Sequence, residues 1–481
     1  MFDRRTTPHP PGDDDPTPPR GNPVTRRAGD DDWEDWEEPN YLIRRSLVIG
    51  SVVLGIALVA IVIGQLIGRG NDSGTSSSAN AEWDTIVVLT ADEIQLLERE
   101  SGSEIDRFDS ADDLLDAQSV MAGNVLITMT DQGRIGQLDI TDGSVRRGRS
   151  GLDETLRISA GNPRVAIAGP DSGGDITIID TTERNVLSIA DVAGLDDPLI
   201  FSTDVLVNPA GTHVAAPVPS AFQSVVINLA EQTSDALAGR VIALSDTLLV
   251  TEQPAGGQSE IEFHDLLGER LTSIDVPAPQ ASMLTANGTL VLVAADGSIR
   301  TATSDGSLDD VGSVTDAEGI ILEVTDGAST FDHTRLVVFA GENVVVLDEN
   351  GAQLGVATGS VSTLPAEAAR CLLVSEGRST QPLTVIDLTT GATITTIDRG
   401  LPASTSYDGC TAAMFGGPSP QLLTEGVVVD VDASSIATIA PDGDAYVVID
   451  GRDTEFVKIG NEDEPREIAD EPSVIHFGNR S

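Results

Sequence analysis

From residue 82 to the C-terminus, apolar and polar positions alternate in short bursts, and no stretch holds a 3.6-residue period for long. Bursts of this kind, bounded by Gly, Asp and Asn, predict strands joined by tight turns. One unit keeps returning: an apolar strand, a polar turn, a second strand ending in an apolar residue and Asp, a Thr/Asp/Asn-Gly turn, and a third strand. The segments Leu138-Asp139-Ile140-Thr141-Asp142-Gly143 and Val385-Ile386-Asp387-Leu388-Thr389-Thr390-Gly391 show its central turn. Units begin near residues 85, 124, 163, 212, 246, 288, 334, 370 and 435, and most of the intervals fall close to the roughly 40 to 50 residues of a four-stranded propeller blade. The pattern predicts an all-β fold, a β-propeller over residues 82–478. Eight blades are favoured and seven are the runner-up, because chance alternation can supply a ninth unit. The first unit lacks a leading strand, whereas Ser473-Val474-Ile475-His476-Phe477 is a strand without a unit. Pairing these two is the predicted way of closing the ring. The turn Asp accepts backbone N–H bonds while Gly takes the positive φ, which makes these aspartates structural.

The N-terminal pattern is different. Leu47 to Ile67 is a 21-residue run without charge, and at about 1.5 Å per residue it reaches roughly 31 Å, enough to cross a bilayer core. Arg44 and Arg45 precede it and only Arg69 follows closely, so the positive-inside bias predicts a cytoplasmic N-terminus and an extracytoplasmic C-terminal domain. Cleavage at Ala79-Asn80-Ala81 is the competing reading, but that site lies well beyond the apolar run, so an uncleaved signal anchor is expected. Residues 1–46, with eight prolines and eleven acids against seven arginines, read as a disordered acidic tail. Within it, Trp33 and Trp36 have two readings: a docking peptide for a cytoplasmic partner, or interfacial aromatics near the headgroups. Residues 68–81 are a Gly/Ser-rich linker.

Charge narrows the partners. The 28 basic and 77 acidic side chains leave −49, and Lys458 is the sole lysine. Nucleic acid is excluded as a partner by repulsion. The domain beyond residue 67 is as acidic as the whole, so it should stand clear of an anionic cell surface on its linker. Aromatics at 3% are too few for stacking platforms that bind sugars or bases.

The turns around Asp139 and Asp387 resemble those of the PQQ-like, or quinoprotein-type, β-propeller repeat proteins, and the resemblance covers about residues 83–478. It implies a propeller; some single-anchored relatives serve as scaffolds in envelope assembly. In that family the repeat carries a Trp that docks one blade on the next. Here the region holds only Trp83 and no adjacent cysteines, so no quinone cofactor is expected.

Catalytic motifs are missing from the sequence: it has no GxSxG elbow, P-loop, GxGxxG or HExxH. His213, His264, His333 and His476 are scattered, and each reads as a strand or turn residue. Structural Ca²⁺ has candidate ligands in Asp305 to Asp310, in Asp442-Gly443-Asp444 and in Glu462-Asp463-Glu464, though none completes a calcium loop. A solvated acidic face is the simpler reading of all three. Cys371 and Cys410, the only cysteines, predict one disulfide on the oxidising side, worth about 4 kcal/mol for its loop in the chain-entropy model. The function expected is a non-catalytic, membrane-anchored scaffold that binds an envelope or secreted protein. A transmembrane sensor signalling through the tail is the alternative, and a quinoprotein-like or hydrolytic enzyme the second alternative.

Overall fold

The computed structural model describes residues 83–480 apart from short connecting segments. The predicted membrane span Leu47 to Ile67 with Arg44 and Arg45, the tail with Trp33 and Trp36, the linker, His333 and Glu462 to Glu464 lie outside the described residues. Among the described residues no helix is long and apolar enough to cross a membrane.

Forty strands form ten four-stranded antiparallel sheets among the described residues. Numbered around the ring, blade 1 holds 85–109 plus the C-terminal strand Val474–Gly478. Blades 2 to 10 hold 118–149, 157–188, 206–238, 240–277, 279–313, 326–358, 360–397, 401–430 and 435–469. The first strands of blades 2 and 3, 4 and 5, 5 and 6, and 6 and 7 lie against one another, so first strands face the axis and fourth strands form the rim. The rim strand Leu308–Ser313 is accordingly exposed at nearly every position. Alternation does the rest. In Val125–Met129 of blade 2, Leu126 packs toward blade 1 while Val125, Ile127 and Met129 pack toward blade 3. A buried apolar cluster of this sort fills the junction between each pair of successive blades and also the junction from blade 10 to blade 1. The ring is closed, which removes free sheet edges from its interior.

Closure follows the sequence expectation. Val474–Gly478 pairs antiparallel with Thr85–Leu89, Leu89 opposite Val474 and Thr85 opposite Gly478, and serves as the missing first strand of blade 1. The turn aspartates behave as structural caps. Asp348 Oδ1 accepts the N–H groups of Asn350 and Ala352 at 2.8 Å each, and Asp265 Oδ1 those of Leu267 and Glu269 at 2.9 and 2.8 Å. Gly351 and Gly268 then turn the chain at φ +78°.

The blade number corrects the expectation of eight, or seven, to ten. All nine units read from the pattern are blades, and the long interval between residues 370 and 435 conceals the tenth. In blade 9 the last three strands, Ala412–Phe415, Gln421–Thr424 and Val427–Asp430, have four residues each, too few to show a clear alternation. The sequence between its third and fourth strands, Glu425-Gly426, holds no aspartate, unlike the aspartate-capped turns of blades 2, 3, 5, 6, 7 and 8. The predicted disulfide joins this blade to its neighbour: Cys371, at the head of the strand Cys371–Ser375 in blade 8, and Cys410, just before Ala412–Phe415 in blade 9, are bonded with Cα atoms 4.9 Å apart.

Candidate functional site

Blade 5 departs from the others in strand length. Leu248–Ala255, Gln258–Asp265 and Arg270–Pro277 have eight residues each, while strands of the other blades have six or fewer. Two additional residues lengthen a strand by about 7 Å, and the overhang forms one wall of a pocket of about 560 Å³ between blades 4 and 5. Its opposite wall is the turn between the second and third strands of blade 4. Pro217, Val218 and Pro219 lead into one 3₁₀ turn, Pro219–Ala221, which Phe222 ends in the left-handed region at φ +50° and ψ 43°. This conformation costs a bulky residue roughly 1–3 kcal/mol. Its ring is not repaid by burial, because Phe222 is 79% exposed at the pocket edge.

The turn is held firmly. Gly239 donates its N–H to the Phe222 carbonyl at 3.0 Å. The fully buried Ser224 donates its hydroxyl to the Gly239 carbonyl at 2.9 Å and accepts the Val241 N–H at 2.7 Å. Gly239 has φ +85°, and a Cβ there would lie 2.6 Å from the Glu252 carbonyl oxygen, so this junction requires glycine. On the blade 5 side, buried Glu252 accepts the Ser259 hydroxyl at 2.7 Å and pairs with Arg240 at 3.0 Å. Behind it, Glu262 accepts the Gln253 amide at 3.0 Å and an Arg270 N–H. The result is a rigid, mainly apolar pocket with a neutralised carboxylate in its wall. Its chemistry is that of recognition: apolar surface for affinity, and Arg240, Glu252 and Gln253 for orientation.

The residues singled out from the sequence do not converge here. His476 is fully buried at the junction of blades 1 and 2, its Nε2 2.7 Å from the Ser119 hydroxyl, and burial lowers its pKa to about 4. His213 lies 3.0 Å from the Thr212 hydroxyl, with burial again lowering its pKa. His264 lies 3.2 Å from the Thr251 hydroxyl and 3.5 Å from Glu262. These three histidines occupy blades 1, 4 and 5. The acidic segments also have other duties. Asp305 caps its turn: the Thr303 hydroxyl and the Ser307 N–H hold its pKa at about 2. Asp310 pairs with Arg300 at 2.7 Å. Asp442 and Asp444 share Arg99, and burial together with the neighbouring Asp442 carboxyl pushes Asp444 up to about 6. No three metal-ligating side chains come together among the described residues.

The pocket was not visible in the sequence. A Pro-Val-Pro segment followed by an aromatic was its only local signal, and that a phenylalanine there adopts a positive φ cannot be read from residue types.

No family model matches the sequence, and neither does any curated protein. Among solved structures, the chain is similar to dihydro-heme d1 dehydrogenase NirN in complex with DHE, at 14% identity over 66% of this chain and 73% of that one, with a TM-score of 0.38. It is similar to apo AztD from Citrobacter koseri at 10% identity over 82% and 97%, TM-score 0.36. The C-terminal WD40 domain of Sif2 aligns at 12% identity over 66% and 95%, TM-score 0.40. The ligands named for these proteins remain theirs. The ten closed sheets by themselves make residues 83–480 a β-propeller.

Proposed function

We propose that the chain is a membrane-anchored, non-catalytic scaffold of the quinoprotein-like repeat type, whose propeller holds a partner protein outside the cell through the pocket between blades 4 and 5. The occupant is an extended segment with an aliphatic or proline side chain for the pocket and a basic group facing Asp204 in its lining. One observation carries this reading: Phe222 is held at φ +50° and 79% exposed by a turn that is otherwise tightly bonded. Strain and solvent exposure of a large aromatic together mark a contact residue better than a packing residue. The net charge of −49 favours a basic partner. The Cys371–Cys410 disulfide supports an oxidising compartment, and the uncharged run Leu47 to Ile67 supports a single-pass anchor.

The test is photo-crosslinking of the full-length chain in cells, with benzoylphenylalanine at position 222 and, as control, at Leu267, which is 80% exposed on a turn of the opposite face. A discrete adduct at 222 that is absent at 267 and lost on Pro254→Arg is the expected result. Equal adducts at both positions, or none at 222, would remove the pocket from the function.

A further inference from the structure

A second opening lies between blades 1 and 2, and its charge is of the opposite sign to the rest of the molecule. The rim strand of blade 2, Val145–Arg149, carries three arginines in five residues and no acid. Across the ladder, Arg134 is directly opposite Arg149, and Gly136 is opposite Arg147. This clustering stands out in a chain of 77 acids and 28 bases. The nearby acids are partly engaged: Asp139 pairs with Arg184 of blade 3, and Asp142 accepts the Ser144 N–H at 2.8 Å. Arg147 is exposed and makes no hydrogen bond or ion pair with any described residue.

Arg134 and Arg147 border a groove of about 520 Å³ whose floor is apolar, with Ile94, Phe108, Leu126 and Val145 along it. Val145 is 51% exposed. The groove owes part of its width to Gly136: a Cβ there would lie 2.6 Å from the Thr128 hydroxyl, with no other contact within 4 Å besides Thr128 itself. Thr128 and Thr130 add hydroxyls beside the arginines, and Asp109 is the one acid in the lining.

We propose that this groove binds a small amphipathic anion, an apolar body carrying a phosphate or carboxylate headgroup. The Arg147 guanidinium takes the headgroup, since arginine matches both anions through paired N–H donors, and the apolar floor takes the body. The size of the ligand follows from screening. Within a Debye length of about 8 Å the local arginines dominate, but a polyanion or an acidic protein would extend beyond that distance into the field of an acidic propeller. A compact anion alone feels the attraction without the repulsion.

Calorimetry on the full chain in a non-ionic detergent, with hexyl phosphate as probe and inorganic phosphate, hexanoate and 1-hexanol as controls, tests the site. Hexyl phosphate should bind, and more tightly than inorganic phosphate or hexanol; hexanoate should bind the same site. Removing one charge-assisted contact by Arg147→Gln should weaken hexyl phosphate by about tenfold or more, Arg147→Glu should weaken it further, and Asp109→Asn should tighten it. Unchanged thermal melting of the Arg147 variants separates lost binding from lost folding. Absence of hexyl phosphate binding, equal affinity in wild type and Arg147→Glu, or inorganic phosphate binding as tightly as hexyl phosphate would each overturn the proposal.

Discussion

The junction between blades 10 and 1 and the junction between blades 4 and 5 use similar parts to opposite ends. Each sets an arginine against carboxylates, Arg99 with Asp442 and Asp444 in the first, and Arg240 with Glu252 in the second. At the closing junction the space beneath the ion pair is filled. Trp83 is 3% exposed, edge-on to Phe477 and Phe456 at centroid distances of 4.8 and 6.0 Å, with the Arg99 guanidinium 4.1 Å above its ring. Lys458, the sole lysine, bonds Glu100 at 2.6 Å, and Arg466 donates to the Glu100 carbonyl at 2.7 Å. At the junction of blades 4 and 5 the large aromatic is outside, and about 560 Å³ is left open. Where strands from both chain ends must meet, aromatic volume secures the ring. Where the chain is already continuous, the same kind of junction can remain open for a ligand.

The strongest test of this contrast is Trp83→Ala. Removing a buried tryptophan typically costs about 3–5 kcal/mol. The upper end applies here because Arg99 also loses its cation–π partner. Denaturant unfolding of the full chain should show the loss as a lower midpoint, and a cost below about 1 kcal/mol would mean that closure does not depend on the aromatic cluster. The junction of blades 8 and 9 offers a covalent comparison. Reduction of Cys371–Cys410, or the double change to serine, should cost about 4 kcal/mol on the chain-entropy model for its 39-residue separation. Equal unfolding midpoints with and without reductant would show that blade 9 is held by packing alone.

A third junction is sensitive to acid. His476 is fully buried between blades 1 and 2, and burial lowers its pKa to about 4 from an ordinary value of 6.5. Between these values the unfolded chain binds a proton that the folded chain refuses. Stability therefore falls as pH drops from 6.5 to 4, by about 3 kcal/mol from this group. Asp444 works in the opposite direction, since its folded pKa is raised to about 6 and the folded state takes up a proton there first. His476→Gln should remove this fall and leave the opposing Asp444 contribution, so that stability falls less, or rises, as pH drops from 6.5 to 4. If the variant keeps the wild-type slope, the histidine is protonated inside the fold.

Much of the ring is legible in the sequence because alternating strands and Asp/Gly turns are local signals. The strands from Val125 and Val344 and the caps at Asp139 and Asp387 are read from neighbouring residues, and the Cys371–Cys410 pair from there being only two cysteines. The closing strand around His476 is legible because an apolar strand without partners implies the unit that lacks one. Blade 9 is not, since Ala412–Phe415 and Gln421–Thr424 are too short to establish a period. The pocket is hidden for a different reason. Its walls come from residues 204 to 254 across a blade junction, and a void between two sheets depends on which side chains fail to meet. Phe222 shows this well: in the sequence it is an apolar residue preceding a strand, and only backbone geometry sets it outside the core.

The smallest expected effect is therefore the most discriminating. Phe222→Gly relieves a left-handed conformation worth about 1–2 kcal/mol, but glycine loses roughly 0.5–1 kcal/mol more than alanine in backbone entropy on folding. With little burial to lose at 79% exposure, these two contributions nearly offset, and the net change should stay within about 1 kcal/mol. Partner crosslinking through a probe at Pro254 should nevertheless disappear. A loss of more than about 2 kcal/mol in denaturant unfolding would show instead that Phe222 packs as a structural residue, and the two junctions would then differ only in how completely they are filled.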